Sequence, residues 1–329
     1  MNLSVVIPTY NRVDRLKRVL AALEKQTYPV TNYEVIVVSD GSIDDTNEYM
    51  QTVETSQRLI FIEQTNSGPA TARNRGLERA TGEIVLFIDD DVVPSPNLLA
   101  EHLRCHESYQ EDIVVLGPML TPPDFRMSSW IWWEQTMLVK QYTSMLTGKW
   151  KPTARQFYTG NSSVARRHLI EVGGFDPTFR RAEDLELAYR LADLGLDFVF
   201  NSEAIGHHYA ERSFNSWLDI PYVYGRNDVI FTKQLNQGWI LPNVFREFWQ
   251  RHLLIQVLVY LNLDRPRLTR LIIGSMKSFV KWQDHTHHTK WTNLVCSCIF
   301  NYRYYQGVAD ELGGRHLFFQ GVKKAKSGT

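Results

Sequence analysis

The residues whose types and spacing best suit chemistry are three consecutive carboxylates, Asp89, Asp90 and Asp91, directly after the apolar residues 84–88. Because three adjacent negative charges repel one another, we expect a cation to neutralise them. Carboxylate oxygens suit Mg²⁺ or Mn²⁺, and Mg²⁺ is commonly held by one or two carboxylates while phosphates of a substrate fill the other positions. The triplet therefore predicts a Mg or Mn site that takes a diphosphate ligand. The alternative is a solvated acidic turn.

Asp40 and Arg73 are candidate ligand-binding residues. Asp40 follows the apolar residues 35–38, so its carboxylate can accept an imide N–H and a ribose hydroxyl. It can equally organise its own turn with the residues that follow it. Arg73 lies on a predicted helix that begins near Ser67 and Gly68. An arginine beside a helix N-terminus suits an anionic ligand.

Glu183 and Asp184 are candidate acid–base residues at the start of a predicted helix. The helix dipole favours acidic residues in a first turn, so both have a purely structural explanation. A carboxylate in that position can also take a proton from an acceptor hydroxyl, provided that the turn packs onto the edge of the sheet. The preceding Gly173-Gly-Phe-Asp turn favours that packing.

Short apolar strands alternating with helices position these residues. Predicted helices cover residues 13–23, 44–53, 67–80 and 95–107, and Asn11 is the predicted cap of the first. The strands fall between them, mostly without polar alternation, as expected when both faces of a sheet are covered. They are predicted at residues 3–7, 35–38, 59–62, 84–88 and 113–116. The order predicts an α/β fold with a mainly parallel sheet.

Ligands of such sheets bind beyond the carboxyl ends of the strands, where the polar clusters of this sequence converge. The first strand ends at Pro8, Thr9, Tyr10 and Asn11. The chain contains neither the G-x-G-x-x-G pattern after this strand nor a Walker-type G-x-x-x-x-G-K. A dinucleotide site and a P-loop are therefore excluded.

The remaining residues fall into three segments. Residues 118–158 are aromatic-rich and are interpreted as a functional excursion, not a core element, in which Trp130, Trp132 and Trp133 could stack on a sugar, gate a donor or dip into a membrane interface. Residues 159–208 are interpreted as a compact module, and Asn161 lies near its start. Beyond residue 213 the pattern is helical, which predicts a C-terminal helical appendage.

Composition limits the function classes. The 36 Lys and Arg balance the 36 Asp and Glu, so no overall field attracts nucleic acid, and a nucleic-acid partner is not expected. Three cysteines, Cys105, Cys296 and Cys298, are too few for a disulfide framework. The N-terminus has no basic region before its apolar run, and no apolar run approaches the ~20 residues of a spanning helix. These features favour a cytoplasmic protein.

Taken together, the motifs resemble the family 2 glycosyltransferases of GT-A fold. The resemblance covers about residues 2–230 and includes the clusters named above. It also includes the segments Pro8-Thr-Tyr-Asn-Arg, Val38-Ser-Asp-Gly-Ser, Ala72-Arg-Asn-Arg-Gly and Gly173-Gly-Phe-Asp. It implies inverting transfer of a sugar from a nucleoside diphosphate sugar, UDP being the commonest donor nucleotide, with Mg or Mn. The implied organisation is a nucleotide-sugar-binding half at residues 1–117, an acceptor and catalytic-base half at 118–230, and a helical region at 231–329.

The resemblance also implies roles for individual residues. Asp184 is the implied catalytic base, with Glu183 beside it. Asp91 is the implied metal ligand, and His207 or His208 approaches the metal or diphosphate. The implied nucleotide-sugar contacts are Pro8, Thr9, Tyr10, Asn11, Asp40, Gly68, Arg73, Asp89 and Asp90. Candidate acceptor contacts are Trp130, Trp132, Trp133 and Asn161.

The implied acceptor is the hydroxyl of a glycan or a lipid-linked molecule, with peripheral contact at the inner face of a membrane if the acceptor is lipid-linked. The Q-x-x-R-W motif of processive members is missing from the sequence, which favours transfer of one sugar per turnover. Two alternatives stay open at this point. One is a catalytically idle nucleotide-sugar- or carbohydrate-binding protein, and the other is a sugar nucleotidyltransferase. The sequence leaves the oligomeric state unknown.

Overall fold

The computed structural model describes residues 2–283 and 289–327 and divides the chain into two compact units. Unit 1 spans Met1–Phe125 and Leu138–Ala210, and unit 2 spans Arg126–Met137 and Glu211–Thr329. No helix among the described residues is long and apolar enough to cross a membrane. Each unit is described separately below.

Among the described residues, the strands all lie in unit 1. They are β1 Leu3–Thr9, β2 Tyr33–Asp40, β3 Arg58–Gln64, β4 Ile84–Ile88, β5 Val92–Pro94, β6 Ile113–Leu116, β7 Met119–Leu120, β8 Asn161–Ala165, β9 Asp197–Phe200 and β10 Gly206–His208. The main sheet has the order β3-β2-β1-β4-β8-β6-β9, and β5-β10-β7 form a small second sheet. In the main sheet β1 pairs in parallel with β2 and β4, and β2 pairs in parallel with β3. The predicted α/β fold with a mainly parallel sheet is confirmed.

In unit 1 the helices surround the sheet, and the described elements of unit 2 are helices. The first group is α1 Val13–Leu23, α2 Thr46–Thr52, α3 Pro69–Arg79, α4 Leu98–Ser108, α5 Ser129–Leu146, α6 Arg166–Glu171 and α7 Glu183–Asp193. The second group is α8 Phe214–Gln234, α9 Ile240–Gln250, α10 Leu253–Asn262, α11 Pro266–Gln283, α12 Lys290–Leu312 and α13 Arg315–Ser327. The second group confirms the predicted C-terminal helices. Helix α5 begins in unit 2 and ends in unit 1.

Helix α1 packs one apolar face onto the sheet, as its period predicts. Leu16, Val19, Leu20 and Leu23 are buried in the same core as the β1 and β2 side chains. Burial of such a side chain contributes about 1.5–3 kcal/mol as an upper estimate. The face therefore fixes the helix, and with it the loop between β1 and α1, against the sheet.

The cap of α1 differs from the prediction. Asn11 has φ +54° and its Oδ1 accepts a hydrogen bond from the amide of Ile43, so it does not cap the helix. Asp44 supplies the cap from the following crossover, because its Oδ2 accepts from the amide of Val13 at 3.1 Å. A side chain distant in sequence thus satisfies a free amide of the first turn.

Strand β8 is polar in sequence yet fully buried, and periodicity did not predict it. It runs antiparallel between β4 and β6. Its polar side chains are satisfied by a histidine of α4: His102 Nε2 lies 2.9 Å from Asn161 Oδ1, and its Nδ1 lies 2.8 Å from Ser163 Oγ. Burial lowers the pKa of His102 to about 4, so the ring stays neutral in the folded chain near pH 7.

The interpretation of residues 118–158 as an excursion outside the core is wrong. In unit 2, the start of α5 buries Trp130 and Trp133. Trp130 packs edge-to-face on Phe214 and donates from Nε1 to the carbonyl of Arg212 at 3.0 Å. Trp133 donates from Nε1 to Ser297 Oγ at 2.8 Å. Both rings are core elements whose polar ends are satisfied.

Two glycines bring α8 and α12 of unit 2 into close contact. A Cβ at Gly225 would overlap the carbonyl oxygen of Tyr304, and one at Gly307 would overlap that of Tyr222. Both positions therefore require glycine. The absence of side chains at these two positions lets the two backbones approach closely.

Candidate active site

The carboxyl ends of β1, β2 and β4 form one edge of the sheet in unit 1, because these three strands are parallel and in register. Thr9 ends β1, and the turn after β4 carries the acidic triplet. The two meet where Thr9 Oγ1 donates to Asp90 Oδ2 at 2.8 Å. The structure therefore brings the cluster at the end of β1 together with the acidic triplet after β4.

Asp90 is the most enclosed of the three acids. Its Oδ1 accepts from Arg12 Nη1 at 2.9 Å, and Thr9 binds its other oxygen. Burial raises the pKa of Asp90 to about 6, the charge of Asp91 adds to the increase, and Arg12 opposes it. Because both oxygens have donors within the protein, Asp90 serves to hold this edge together.

Asp91 has a different environment, with two arginines on one oxygen and a histidine near the other. Arg12 and Arg15 place Nη1 atoms 3.2 and 3.3 Å from Oδ2. His208 of β10 places Nε2 3.5 Å from Oδ1. Of the two histidines considered, His208 is therefore the one beside Asp91; His207 is the preceding residue of the same strand, so its side chain points to the other face. The sequence had not identified the roles of Arg12 and Arg15.

Three arginines of this chain contact the acidic triplet, for which the sequence predicted a metal cation. Arg73 binds Asp89, while Arg12 contacts both other acids. The sequence could have indicated these contacts, because Arg12 and Arg15 lie at the start of the helix that directly follows β1 and therefore close to the edge that carries the triplet. Their charges offset the repulsion among the carboxylates.

The donor set at Asp91 is compatible with Mg²⁺ or Mn²⁺ bound together with a phosphate. Within residues 2–283 and 289–327, no group of three or more His, Cys, Asp or Glu is arranged to hold a metal by itself. Asp91 Oδ1 and His208 Nε2 offer one carboxylate oxygen and one imidazole nitrogen. Mn²⁺ accepts both ligand types, and phosphate oxygens ordinarily complete such a shell.

Arg73 connects the triplet to the predicted catalytic pair. Its Nη2 donates to Asp89 Oδ1 and its Nη1 to Glu183 Oε1, each at 2.8 Å. Burial lowers the pKa of Arg73, but Asp89 and Glu183 outweigh that effect and the net change is an increase. The guanidinium is therefore a fixed positive charge between two carboxylates.

Asp184 follows Glu183 at the start of α7 and is a half-buried residue. Burial raises the pKa of Asp184 to about 7, the charge of Glu183 adds to the increase, and Arg73 opposes it. Ala182, before the helix, has φ +61°, a conformation that costs energy for a residue with a side chain. The chain thus holds a carboxyl that can exchange a proton near neutral pH.

Asp40 organises a loop that is distant in sequence. Its Oδ1 accepts from the amide of Ser67 at 2.7 Å and from Gln64, and its Oδ2 accepts from the amide of Gly68 at 2.9 Å. This loop leads into α3, the helix that carries Arg73. The alternative considered from sequence was that Asp40 organises the turn that follows it. In that turn the acceptor is instead Asp44, whose Oδ1 accepts hydrogen bonds from the amide and hydroxyl of Thr46.

The other predicted nucleotide contacts differ in exposure. Tyr10 is 48 % exposed at the end of β1, and Asn11 is also exposed, whereas Thr9 is buried. Pro8 is half-buried within β1. Gly68 has φ +93° and open space around its α-carbon. Tyr10 therefore presents the most accessible ring surface at this edge.

Four predicted acceptor residues belong to unit 2 or already have partners within the protein. Trp130, Trp132 and Trp133 belong to unit 2, where the first and last are packed in the core. Asn161 is buried, its Nδ2 donates to the carbonyls of Pro118 and Ala204, and its Oδ1 meets His102. These contacts engage both hydrogens and the oxygen of the amide, so Asn161 has a structural role.

The family model for glycosyl transferase family 2 matches residues 4–173, a range that includes the carboxyl ends of β1, β2 and β4 and the acidic triplet. The chain belongs to this family. It is similar to validoxylamine A glucosyltransferase of Streptomyces hygroscopicus subsp. jinggangensis, with 33 % identity over 230 residues that cover 62 % of this chain and 54 % of that protein. The chain thus spans about half the length of this curated relative.

Solved structures share the fold. A mannosyltransferase from Pyrobaculum calidifontis, PcManGT, in complex with GDP-Man and Mn²⁺, superposes with a TM-score of 0.62 at 18 % identity, covering 95 % of this chain and 87 % of that one. S. aureus TarS in complex with UDP gives a TM-score of 0.53 at 18 % identity, covering 100 % of this chain and 92 % of that one. With these neighbours, the predicted GT-A fold is confirmed.

Proposed function

We propose that this chain is an inverting, non-processive glycosyltransferase that moves a sugar from a nucleoside diphosphate sugar to a hydroxyl acceptor. The observation that carries the proposal is the position of Arg73, which contacts Asp89 on one side and Glu183 on the other at 2.8 Å. One cation thereby joins the acids after β4 to the carboxyl pair that opens α7. Family membership supports the same activity.

The donor would bind at the edge formed by β1, β2 and β4. Tyr10 offers a half-exposed ring for stacking on the base, and the loop held by Asp40 leads to the N-terminus of α3. A helix N-terminus together with Arg73 favours a diphosphate. A UDP-sugar is the favoured donor, and GDP- and dTDP-sugars are the alternatives. Of the two proteins that share the fold, TarS was solved in complex with UDP and PcManGT in complex with GDP-Man.

Asp91 and His208 would hold Mg²⁺ or Mn²⁺ with the diphosphate. Bound there, such an ion would stabilise the negative charge that develops on the leaving diphosphate. Arg12 and Arg15 contact the Oδ2 of Asp91 and keep it oriented. His208 places Nε2 3.5 Å from Oδ1, so this oxygen and this nitrogen are the two atoms that would hold the ion.

Asp184 is the proposed base and Glu183 its neighbour. As the acceptor oxygen bonds to C1 of the sugar, its proton passes to a carboxylate oxygen of Asp184, and the bond from C1 to the diphosphate oxygen breaks on the opposite face. The nucleoside diphosphate leaves with the bonding electrons. A base works best when its pKa lies near the operating pH, and the raised pKa of Asp184 meets this condition.

A binding protein without catalysis has no need of such a carboxyl, which makes the idle alternative weaker. A nucleotidyltransferase would be expected to have a glycine-rich basic loop after β1, where this chain has Pro8, Thr9, Tyr10 and Asn11. The proposed acceptor is a glycan or lipid-linked hydroxyl, in glycan, cell-surface polysaccharide or glycolipid synthesis. We assign donor binding to residues 1–117 and acceptor binding to residues 118–230.

Calorimetric titration with UDP, GDP and dTDP, with and without Mn²⁺, tests the donor site. We expect one of them to bind, and Mn²⁺ to tighten the binding. Asp91→Asn should lose the effect of Mn²⁺. Asp14→Asn, which changes an exposed carboxylate of α1, should retain it. Failure of all three nucleotides to bind a folded chain would contradict the proposal.

A further inference from the structure

Helix α10 of unit 2 has apolar residues on two opposite sides. Ile255 and Val259 are buried, as in an ordinary packed helix. Leu253, Leu254, Val257 and Leu261 are exposed, and their spacing places them along one continuous stripe. The exposed fraction of Leu253 is 69 %. An apolar stripe on the outside of a helix marks an interaction surface, because isolated exposed side chains do not normally line up in this way.

Helix α11 adds further exposed apolar side chains and positive charge. It follows α10 directly and is tied to it where Thr269 Oγ1 donates to the carbonyl of Asn262 at 3.2 Å. Leu271 is 70 % exposed and Trp282 is 60 % exposed. The 18 residues of the helix include four cations and no carboxylate. A helix with Leu and Trp at its surface and only cations among its charges is typical of the interface of an anionic membrane.

A basic cavity lies beside α11 within unit 2. It has a volume of about 460 Å³ and is lined by Arg270, Lys277 and Arg303, with apolar walls at Leu218 and Ile273. Asp219 is the one carboxylate in its lining, so the cavity carries a net positive charge. Cations over apolar walls fit a lipid phosphate with the start of its acyl region.

The distribution of charge along the whole chain also makes the C-terminal region basic. Residues 251–329 contain 12 Lys and Arg against 4 Asp and Glu, whereas residues 1–250 contain 24 against 32. The zero net charge of the chain therefore conceals a basic C-terminal region. A second copy of the chain is a poor occupant of this surface, because a two-fold contact would bring the same cations face to face.

We propose that the exposed sides of α10 and α11, here called the α10–α11 surface, bind an anionic lipid bilayer, with a lipid phosphate in the basic cavity. The inference does not rest on the proposed glycosyl transfer. Leu271 and Trp282 enter the headgroup region, and Arg267, Arg270 and Lys281 remain at the level of the phosphates. The surface differs from the one expected from sequence, since Trp130 and Trp133 are buried in the core.

Co-sedimentation of the full chain with vesicles tests this proposal. We expect it to sediment with an equimolar mixture of phosphatidylcholine and phosphatidylglycerol, and much less with phosphatidylcholine alone. Each cation near an anionic surface contributes roughly fivefold in binding, so Arg267→Gln/Arg270→Gln/Lys281→Gln should weaken it roughly 100-fold. The matched control Lys25→Gln/Lys140→Gln/Lys149→Gln removes three exposed cations of unit 1 and should change it far less.

A second pair of variants tests the apolar part. Leu271→Ser/Trp282→Ser should reduce vesicle binding without changing the melting temperature, because both side chains are exposed. The control Leu146→Ser/Ile170→Ser alters two exposed side chains of unit 1 and should bind as the original chain does. The proposal is wrong if the original chain stays in the supernatant or if variants and controls bind equally. It is also wrong if sedimentation velocity without lipid shows self-association that Leu271→Ser/Trp282→Ser abolishes.

Discussion

Arg73 and Glu183 form a buried ion pair, 2.8 Å from Nη1 to Oε1, that joins two positions 110 residues apart. Arg73 lies on α3 and Glu183 opens α7. The pair fixes the start of α7 against the edge where the acidic triplet lies. It therefore determines where the proposed base, Asp184, is held.

The ion pair should be strongly coupled in stability. Arg73→Met leaves Glu183 buried without its cation, which typically costs about 3–5 kcal/mol. Adding Glu183→Met to the same chain should recover part of that loss, giving a coupling energy of about 1–3 kcal/mol in a double-mutant cycle. Urea unfolding of the four proteins measures it. Additive losses would mean that the two side chains do not interact.

Asp40→Asn should cost stability as well as nucleotide affinity. The amides of Ser67 and Gly68 each donate to a different oxygen of Asp40, and an amide side chain offers only one. Leaving a fully buried donor without an acceptor costs about 1–3 kcal/mol, and these hydrogen bonds are part-buried, so we expect a loss near the lower end of that range. Thermal unfolding and nucleotide titration on the same sample measure both effects. A stable variant that loses only nucleotide affinity would show that Asp40 acts on the ligand and not through the loop.

Two glycine substitutions should have opposite effects. Gly68→Ala forces a side chain into a conformation with φ +93° and ψ 165°, which costs about 1–3 kcal/mol although the surroundings are open. Gly274→Ala, within α11 and also in open space, should stabilise by about 0.5–1 kcal/mol. Chemical denaturation distinguishes them. Equal effects of the two changes would contradict the backbone argument.

Asp184 should make stability depend on pH. The pKa of an unfolded Asp is about 3.9, and in the folded chain burial raises the pKa of Asp184 to about 7. Between these values the folded chain holds a proton that the unfolded chain has released, so the free energy of unfolding falls as pH rises. The melting temperature of Asp184→Asn minus that of the original chain should therefore increase from about pH 4 to about pH 7. A constant difference across that window would refute the raised pKa.

Much of the fold of residues 1–117 could be predicted, because the strands of that region are nearly uninterrupted apolar runs in the sequence. All eight residues of β2 are buried, and its run is visible in the sequence. β8 could not be found in this way, since Asn161, Ser162 and Ser163 are polar and become buried only because neighbouring side chains and carbonyls satisfy them. Local pattern carries no information about such distant partners.

The candidate site shows the same limit. Strand-end position indicated Asp40 and the triplet, because parallel strands deliver their carboxyl ends to one edge. It did not indicate that Asp40 holds residues 67 and 68, or that Arg12 and Arg15 contact Asp91. Trp130 and Trp133 of α5 were misassigned because aromatic content alone does not distinguish a ligand-binding surface from a helix packed in a core.

The most direct test of the account is turnover and donor affinity measured on Asp184→Asn, with Asp193→Asn at the exposed end of the same helix as the control. Release of nucleoside diphosphate from the donor that binds reports turnover, and calorimetry reports affinity. General-base catalysis is typically worth ~10² to 10⁴ in rate, so Asp184→Asn should lose that factor, or about 3–5 kcal/mol of barrier, with donor affinity unchanged. Asp193→Asn should resemble the original chain. Near-normal turnover of a folded Asp184→Asn would contradict the assignment of the base and direct attention to Glu183.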